Sequence, residues 1–154
     1  MMSRSSEVIL ENCSFENNQA LTGQVGTGGA LSLGQGTTLL ADNCTFMGNQ
    51  ADVAGVMHTF TGCSVVMTDC TFTGNDGGSF PGGVIRNADS ALTLDGCTIT
   101  GNLSASTVGA IWNFDAELAL TDTTICDNPM EQIEGPYTDG GGNCIREFLS
   151  LIHI

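Results

Sequence analysis

One phrase, C-[ST]-[FI]-x-x-N, recurs at a nearly fixed interval, and that interval constrains the fold more tightly than anything else in the chain. It reads CSFENN from Cys13, CTFMGN from Cys44, CTFTGN from Cys70 and CTITGN from Cys97, and a fifth copy, TTICDN, starts at Thr123 with threonine in the cysteine slot. The steps between copies are 31, 26, 27 and 26 residues. Between them lies a second phrase, Gly-Ala or Gly-Val before a large apolar residue: GGAL at 28–31, AGVM at 54–57, GGVI at 82–85 and VGAI at 108–111. A third apolar run precedes each Cys phrase: VIL, LLA, VVM, LTL and LAL. Each repeat therefore carries three strand-length apolar runs separated by Gly, Asn or Asp, and none holds a helical period over a useful length. Such a unit cannot bury its apolar face alone. Stacked as in-register parallel strands about 4.8 Å apart, successive units build one continuous core. Parallel crossovers are overwhelmingly right-handed. The expected fold is thus all-β, a right-handed parallel β-helix solenoid of about five coils, each of three short strands, with a period of about 26 residues.

The coils are expected over residues 1–128. The segment 129–148 breaks the period and reads as an irregular closing segment. The last six residues, LSLIHI, continue no pattern. They read like the translation of a transposon-end adaptor used in sequencing-library preparation, which would make 149–154 an artefact of a metagenomic fragment and leave flanking coils or domains outside it. No apolar run reaches the 18 or so residues of a membrane-spanning helix, and MMSRSSEVIL has no apolar core of a signal peptide.

Composition narrows the partners. Seventeen acidic residues face three arginines and no lysine, a net charge of -14. Nucleic acid and anionic membrane surfaces both require a basic face, so neither is expected. A divalent cation such as calcium, held between carboxylates, stays compatible.

The paired phrases GGA-[ILV] and F-x-x-N, the latter standing as FENN at 15–18, FMGN at 46–49 and FTGN at 72–75, resemble the repeats of chlamydial polymorphic outer-membrane proteins. More broadly the chain resembles right-handed β-helix domains of the pectin-lyase-like superfamily. The resemblance spans about residues 8–128, with isoleucine replacing phenylalanine at Ile99 and Ile125. It speaks to fold far more than to activity, because that superfamily includes lyases, hydrolases, adhesins and passenger domains. Residues 125–145 also resemble the closing segment of secreted bacterial β-helix proteins, in which Cys, Asn, Pro, Gln-Ile, Gly, Thr-Asp and Gly-Gly-Asn follow in order. The resemblance implies an extracellular or cell-surface location.

Alternation along a strand assigns faces. Phe15, Phe46, Phe72 and Ile99 belong inside, so Cys13, Cys44, Cys70 and Cys97 do too, and Ser14, Thr45, Thr71 and Thr98 point out. Four rungs span about 14 Å at the strand spacing, too far for four thiolates to share one zinc ion. Cβ atoms on adjacent rungs are farther apart than a disulfide prefers. These cysteines read as small buried hydrophobes. The pair before each Cys, Glu11-Asn12, Asp42-Asn43, Thr68-Asp69, Asp95-Gly96 and Thr121-Asp122, reads as a corner in left-handed backbone. Asn18, Asn49, Asn75, Asn102 and Asn128 would stack at another corner as an amide ladder. Cys126 and Cys144 lie where a disulfide would staple the closing segment; Cys63 has no evident partner.

Chemistry must come from columns that do not repeat. If Ala30, Val56, Val84 and Ala110 faced in, strict alternation would bury Arg86 without a partner, at high cost. Leu31, Met57, Ile85 and Ile111 are therefore expected inside and the former four outside, leaving Ser32, His58, Arg86 and Trp112 as an outward strip. A Trp beside an Arg and a His suits a sugar's apolar face and hydroxyls. Asp89 and Asp115, three residues past Arg86 and Trp112, are the candidate carboxylates. Ile9, Leu40 and Val66 form an outward apolar column, awaiting either a partner or cover from the loop at 19–27. The expectation is a non-enzymatic secreted or surface module, adhesin-like or a structural stalk, contacting carbohydrate or another surface protein. The alternative, a fragment of a polysaccharide lyase or glycoside hydrolase, requires His58, Arg86, Asp89 and Asp115 to converge on one groove.

Overall fold

The computed structural model describes residues 6–21 and 25–146, so the adaptor-like stretch 149–154 lies outside the described residues. Every strand within its three main sheets is paired in parallel. Sheet I stacks Glu7–Glu11, Thr38–Asp42, Ser64–Thr68, Ala91–Asp95, Glu117–Thr121 and Thr138–Asp139. Sheet II stacks Ser14–Glu16, Thr45–Met47, Thr71–Thr73, Thr98–Thr100, Thr124–Cys126 and Cys144–Ile145. Sheet III stacks Leu31–Leu33, Met57–Thr59, Ile85–Ala88, Val108–Phe114 and Glu131–Glu134. Register along sheet I runs Glu7, Thr38, Ser64, Ala91, Glu117 without a slip, which makes four turns with the period expected from the repeat. Ala119 then pairs with Thr138, so a fifth, shorter turn closes the stack. The segment 129–148, expected to be irregular, instead adds one short strand to each sheet through residue 145.

Alternation holds on sheets I and II. Leu39, Met67, Leu94 and Leu120 are fully buried, as are Phe46, Phe72, Ile99 and Ile125. Phe15, Phe46 and Phe72 stack face on face with centroids 5.0 Å apart and planes 9° apart, the spacing that in-register rungs impose.

Sheet III departs from strict alternation. The amides of Ala30 and Leu31 both donate to the Val56 carbonyl, at 3.0 and 2.8 Å, and those of Val56 and Met57 both donate to Val84, at 2.9 and 3.2 Å. Two residues opposite one is a β-bulge. Val56, Val84 and Ala110, expected outside, are therefore buried in the core together with Met57, Ile85 and Ile111. The bulge resets the alternation, and the strip beyond it still points outward.

Two of the corners follow one rule, a residue in left-handed backbone and then a short polar or thiol side chain turned inward, and the third follows it at Cys63 and Ser90. At the sheet I–II corner the left-handed residues are Asn12, Asn43, Asp69, Gly96 and Asp122, with φ between 46° and 63°. Each precedes a position of the Cys column. The thiols of Cys44, Cys70 and Cys97 donate to carbonyls of their own coil and the preceding one, for example Cys70 Sγ to Thr68 O at 3.2 Å and Ala41 O at 3.7 Å. Thr123 fills the same place with a hydroxyl, 2.9 Å from Thr121 O. These cysteines are thus turn donors as well as core filler. The next corner uses Asn17, Gly48, Gly74, Gly101 and Asp127 before the ladder asparagines, and the third uses Gly36, Gly62, Asp89 and Asp115. Cys63 follows Gly62 at that third corner, buried, with its thiol 3.1 Å from Gly34 O; it is the same device in another column.

Candidate functional site

The outward strip of sheet III is assembled by register alone: Ser32, His58, Arg86 and Trp112 are successive Cα partners, and Glu134 follows Trp112. The Arg86 guanidinium carbon lies 4.4 Å from the Trp112 ring centroid, a cation–π geometry. Two residues along, Phe60 and Phe114 share the same face. The Phe114 ring stacks on Trp112 at 5.0 Å and 7°, and Phe60 tilts against His58 at 4.4 Å. Both phenylalanines are exposed. The result is two aromatic walls two rungs apart, with Arg86 and Ala88 on the rung between them. Phe60 and Phe114 had no place in the expected site. The phrases H-T-F and W-N-F carried the signal, since residues i and i+2 share a face.

His58 is buried at 6% exposure, and its Nδ1 has no hydrogen-bond partner. Burial, reinforced by the Arg86 charge, lowers its pKa from 6.5 to about 4, so the imidazole is neutral at pH 7. Burial also lowers the pKa of Arg86, whose Nε is unpartnered. Among the described residues Arg86 has no carboxylate partner, an isolated cation in a chain of net charge -14.

The candidate carboxylates sit elsewhere. Asp89 and Asp115 occupy the left-handed position of the third corner, with φ of 47° and 46°. They line a cavity of ≈ 560 Å³ with Glu117 and the backbone around Ser90, and His58, Arg86 and Trp112 are not among its walls. The structure thus brings His58, Arg86 and Trp112 together and leaves Asp89 and Asp115 around the bend. Among the described residues no three His, Cys, Asp or Glu side chains cluster as a metal site would require.

The asparagine column is a continuous, polar ladder. Each Nδ2 donates to the Oδ1 of the next coil: Asn18 to Asn49 (2.8 Å), Asn49 to Asn75 (3.0 Å), Asn75 to Asn102 (2.9 Å) and Asn102 to Asn128 (2.9 Å). Gln132 receives the last donation at 2.8 Å and returns one to Asn128 O at 2.7 Å. A second, shorter ladder went unforeseen: Thr59 donates to Asn87 Oδ1 at 3.1 Å, and Asn87 Nδ2 to Asn113 Oδ1 at 2.8 Å. Both columns serve the backbone and offer nothing to a ligand.

The expected staple between Cys126 and Cys144 is not formed, and all seven cysteines are free thiols. Register explains this. Cys144 pairs with Thr124, not with Cys126, which lies two residues further along the strand. That diagonal exceeds the Cβ separation a disulfide tolerates.

The family model described as right handed beta helix region matches residues 1–125 of the chain. No curated protein and no solved structure matches the chain.

Proposed function

The chain belongs to the right-handed β-helix family, and on that premise we propose that it is a non-enzymatic binding module, displayed in a secreted or cell-surface setting, which holds carbohydrate on the outward strip of sheet III. The observation that carries the reading is the Arg86–Trp112–Phe114 stack, with the guanidinium 4.4 Å above the indole. The outer face of this stack, the exposed Phe114 ring, offers an apolar surface for the C–H face of a sugar ring, and the Arg86 guanidinium held over Trp112 offers donors for ring and hydroxyl oxygens. Because rung spacing sets the platform, little conformational entropy is lost when a ligand lands on it. The left-handed corner role of Asp89 and Asp115, and the absence of His58, Arg86 and Trp112 from the cavity they line, favour the strip as the place where a sugar is held.

The test is polysaccharide depletion and glycan-array binding of wild type, Trp112→Ala and Asp89→Asn/Asp115→Asn. Expected is binding that Trp112→Ala reduces tenfold or more and the carboxylate variant leaves intact. Unchanged binding in Trp112→Ala would remove the strip. Reducing-sugar release that the carboxylate variant abolishes would establish the enzyme reading instead.

A further inference from the structure

We propose that the outward face of sheet I is a docking groove for a cationic amphipathic helix of a protein partner, independent of the sheet III strip. Ile9, Leu40 and Val66 are register partners on consecutive rungs, and all three are exposed, at 60%, 39% and 37%. A stacked row of branched aliphatic side chains facing water is unusual for a surface that serves only solubility. The described residues of the long first turn do not cover it. Gln19–Ala20 pairs with Gln50–Ala51, Thr27 bridges to Val53, and the Gly26 amide donates to Asp52 at 2.9 Å, so the described parts of that loop run over the connection between sheets II and III.

The chemistry of the occupant follows from what flanks the row. On one side the outward positions are Glu11, Asp42, Thr68 and Asp95, with Asp69 and Asp122 at the adjoining corner. Ile9, Leu40 and Val66 share a shallow cavity of ≈ 270 Å³ with Glu11 and Asp42. A second copy would bring the same acidic rows together, at a net charge of -14 each, so self-association is opposed. A cationic flank is favoured for the same reason. Spacing selects the secondary structure. A helix presents an apolar side chain about every 5.4 Å along its axis, within roughly 0.6 Å of the 4.8 Å rung spacing. An extended strand offers same-face side chains about 6.7 Å apart and loses register by the second rung. A helix lying along the solenoid axis therefore seats one apolar residue per rung over Ile9, Leu40 and Val66. It continues over the smaller Thr93 and Ala119 and sets Lys or Arg opposite Glu11 and Asp42.

The experiment is fluorescence anisotropy of the intact chain at low ionic strength against a dye-labelled, 18-residue Leu/Lys amphipathic helix. A Leu/Glu helix of the same pattern serves as control. Expected is saturable 1:1 binding of the Leu/Lys probe alone, weakened tenfold or more by Leu40→Ser/Val66→Ser and by Glu11→Gln/Asp42→Asn. Trp112→Ala should leave it unchanged, which separates this face from the strip. The proposal is overturned by equal binding to Leu40→Ser/Val66→Ser, which would mean bulk charge attraction only. Binding of the Leu/Glu probe, or a wild-type dimer that the serine variant dissolves, would overturn it too.

Discussion

Asn75 is the most informative single residue to remove, because it sits midway along a ladder whose every bond is known. It is fully buried. Its Nδ2 donates to Asn102 Oδ1 at 2.9 Å and to Phe46 O at 3.0 Å, while its Oδ1 accepts from the Asn49 amide at 2.9 Å and from Asn49 Nδ2 at 3.0 Å. Asn75→Ala removes all four bonds. Asn102 Oδ1 keeps the Asn75 backbone amide at 3.0 Å, so it is only half deprived. The Asn49 amide and one Asn49 Nδ2 hydrogen are left without partners in a dry interior, while the Phe46 carbonyl loses one donor and keeps its place in the strand ladder. At about 1–3 kcal/mol for each of the two buried orphans, the loss is roughly 2–6 kcal/mol, a large share of the 5–15 kcal/mol typical of a folded domain. Asn18→Ala is the internal control. Asn18 is exposed, and its side chain gives one bond, to Asn49 Oδ1, which keeps the Asn18 backbone amide at 3.0 Å. That variant should lose about 1 kcal/mol or less. Urea unfolding followed by circular dichroism and by Trp112 fluorescence measures both. If Asn75→Ala lies within about 1 kcal/mol of wild type, or matches Asn18→Ala, the ladder is a decoration of the corner and not what holds consecutive coils together.

Two further outcomes follow from burial. The His58 pKa is lowered to about 4 in the folded protein against 6.5 when exposed, so the unfolded chain binds the extra proton between those values; stability falls as pH drops through that window and the loss is complete near pH 4. Solvent at the strip limits it to roughly 1–2 kcal/mol. The wild-type minus His58→Gln difference in urea midpoint should shrink in that direction between pH 7 and 5, and a flat difference would show that His58 is not held neutral. Thiol chemistry gives the second: Cys144 is exposed and Cys13 half-buried, whereas Cys44, Cys63, Cys70, Cys97 and Cys126 are buried, and a hydrogen bond with the Cys97 thiol together with burial pushes Cys70 up. An aromatic disulfide reagent should titrate Cys144 fast and Cys13 slowly, with the other five appearing only in denaturant; a fast phase that survives Cys144→Ser would contradict this placement.

What was legible in the sequence was whatever recurs in every coil. The Cys, Phe and Asn columns and the Asn/Asp/Gly corner each appear four or five times, so a single assumption about alternation is tested at every rung, and sheets I and II follow it. Sheet III was misread at Ala30, Val56, Val84 and Ala110 because a bulge is a backbone event. Nothing in Gly-Ala-Leu or Gly-Val-Ile distinguishes a strand that alternates from one that spends an extra residue on the same carbonyl. The costly-burial argument that kept Arg86 outside was sound, and only its corollary for the preceding residue failed. Asn87 and Asn113 were missed for a different reason: two copies make a weak period, and their partner Thr59 is a different residue type. The closing coil was hidden by its length. With a step of 19 residues from Ala119 to Thr138, it skips much of the loop a full coil carries, and Gln132, one methylene longer than asparagine, reaches back to finish a ladder it is not in register to join.

The corner rule also explains why function had to be sought where it was. Each coil spends residues on left-handed backbone, on inward donors to the corner carbonyls and on the core, so the outward columns are the ones most free to vary without unfolding the solenoid. On sheet II one of those columns is Ser14, Thr45, Thr71, Thr98 and Thr124, a hydroxyl face. On sheet I they are apolar beside acidic, and on sheet III aromatic beside cationic. Asp89 and Asp115 look chemical in the sequence, yet they are drawn from the same short list, Asn, Asp and Gly, that fills every other left-handed position save two; their identity is accounted for by φ before any substrate is invoked. Arg86 and Trp112 have no such account. Neither caps a corner or fills the core, and a guanidinium half-withdrawn from water without a carboxylate is a cost to the fold. What they repay in structure is their mutual cation–π contact and the stack on Phe114, so no backbone demand sets their identity, and it is on this one face, one rung apart, that the proposed binding is to be tested.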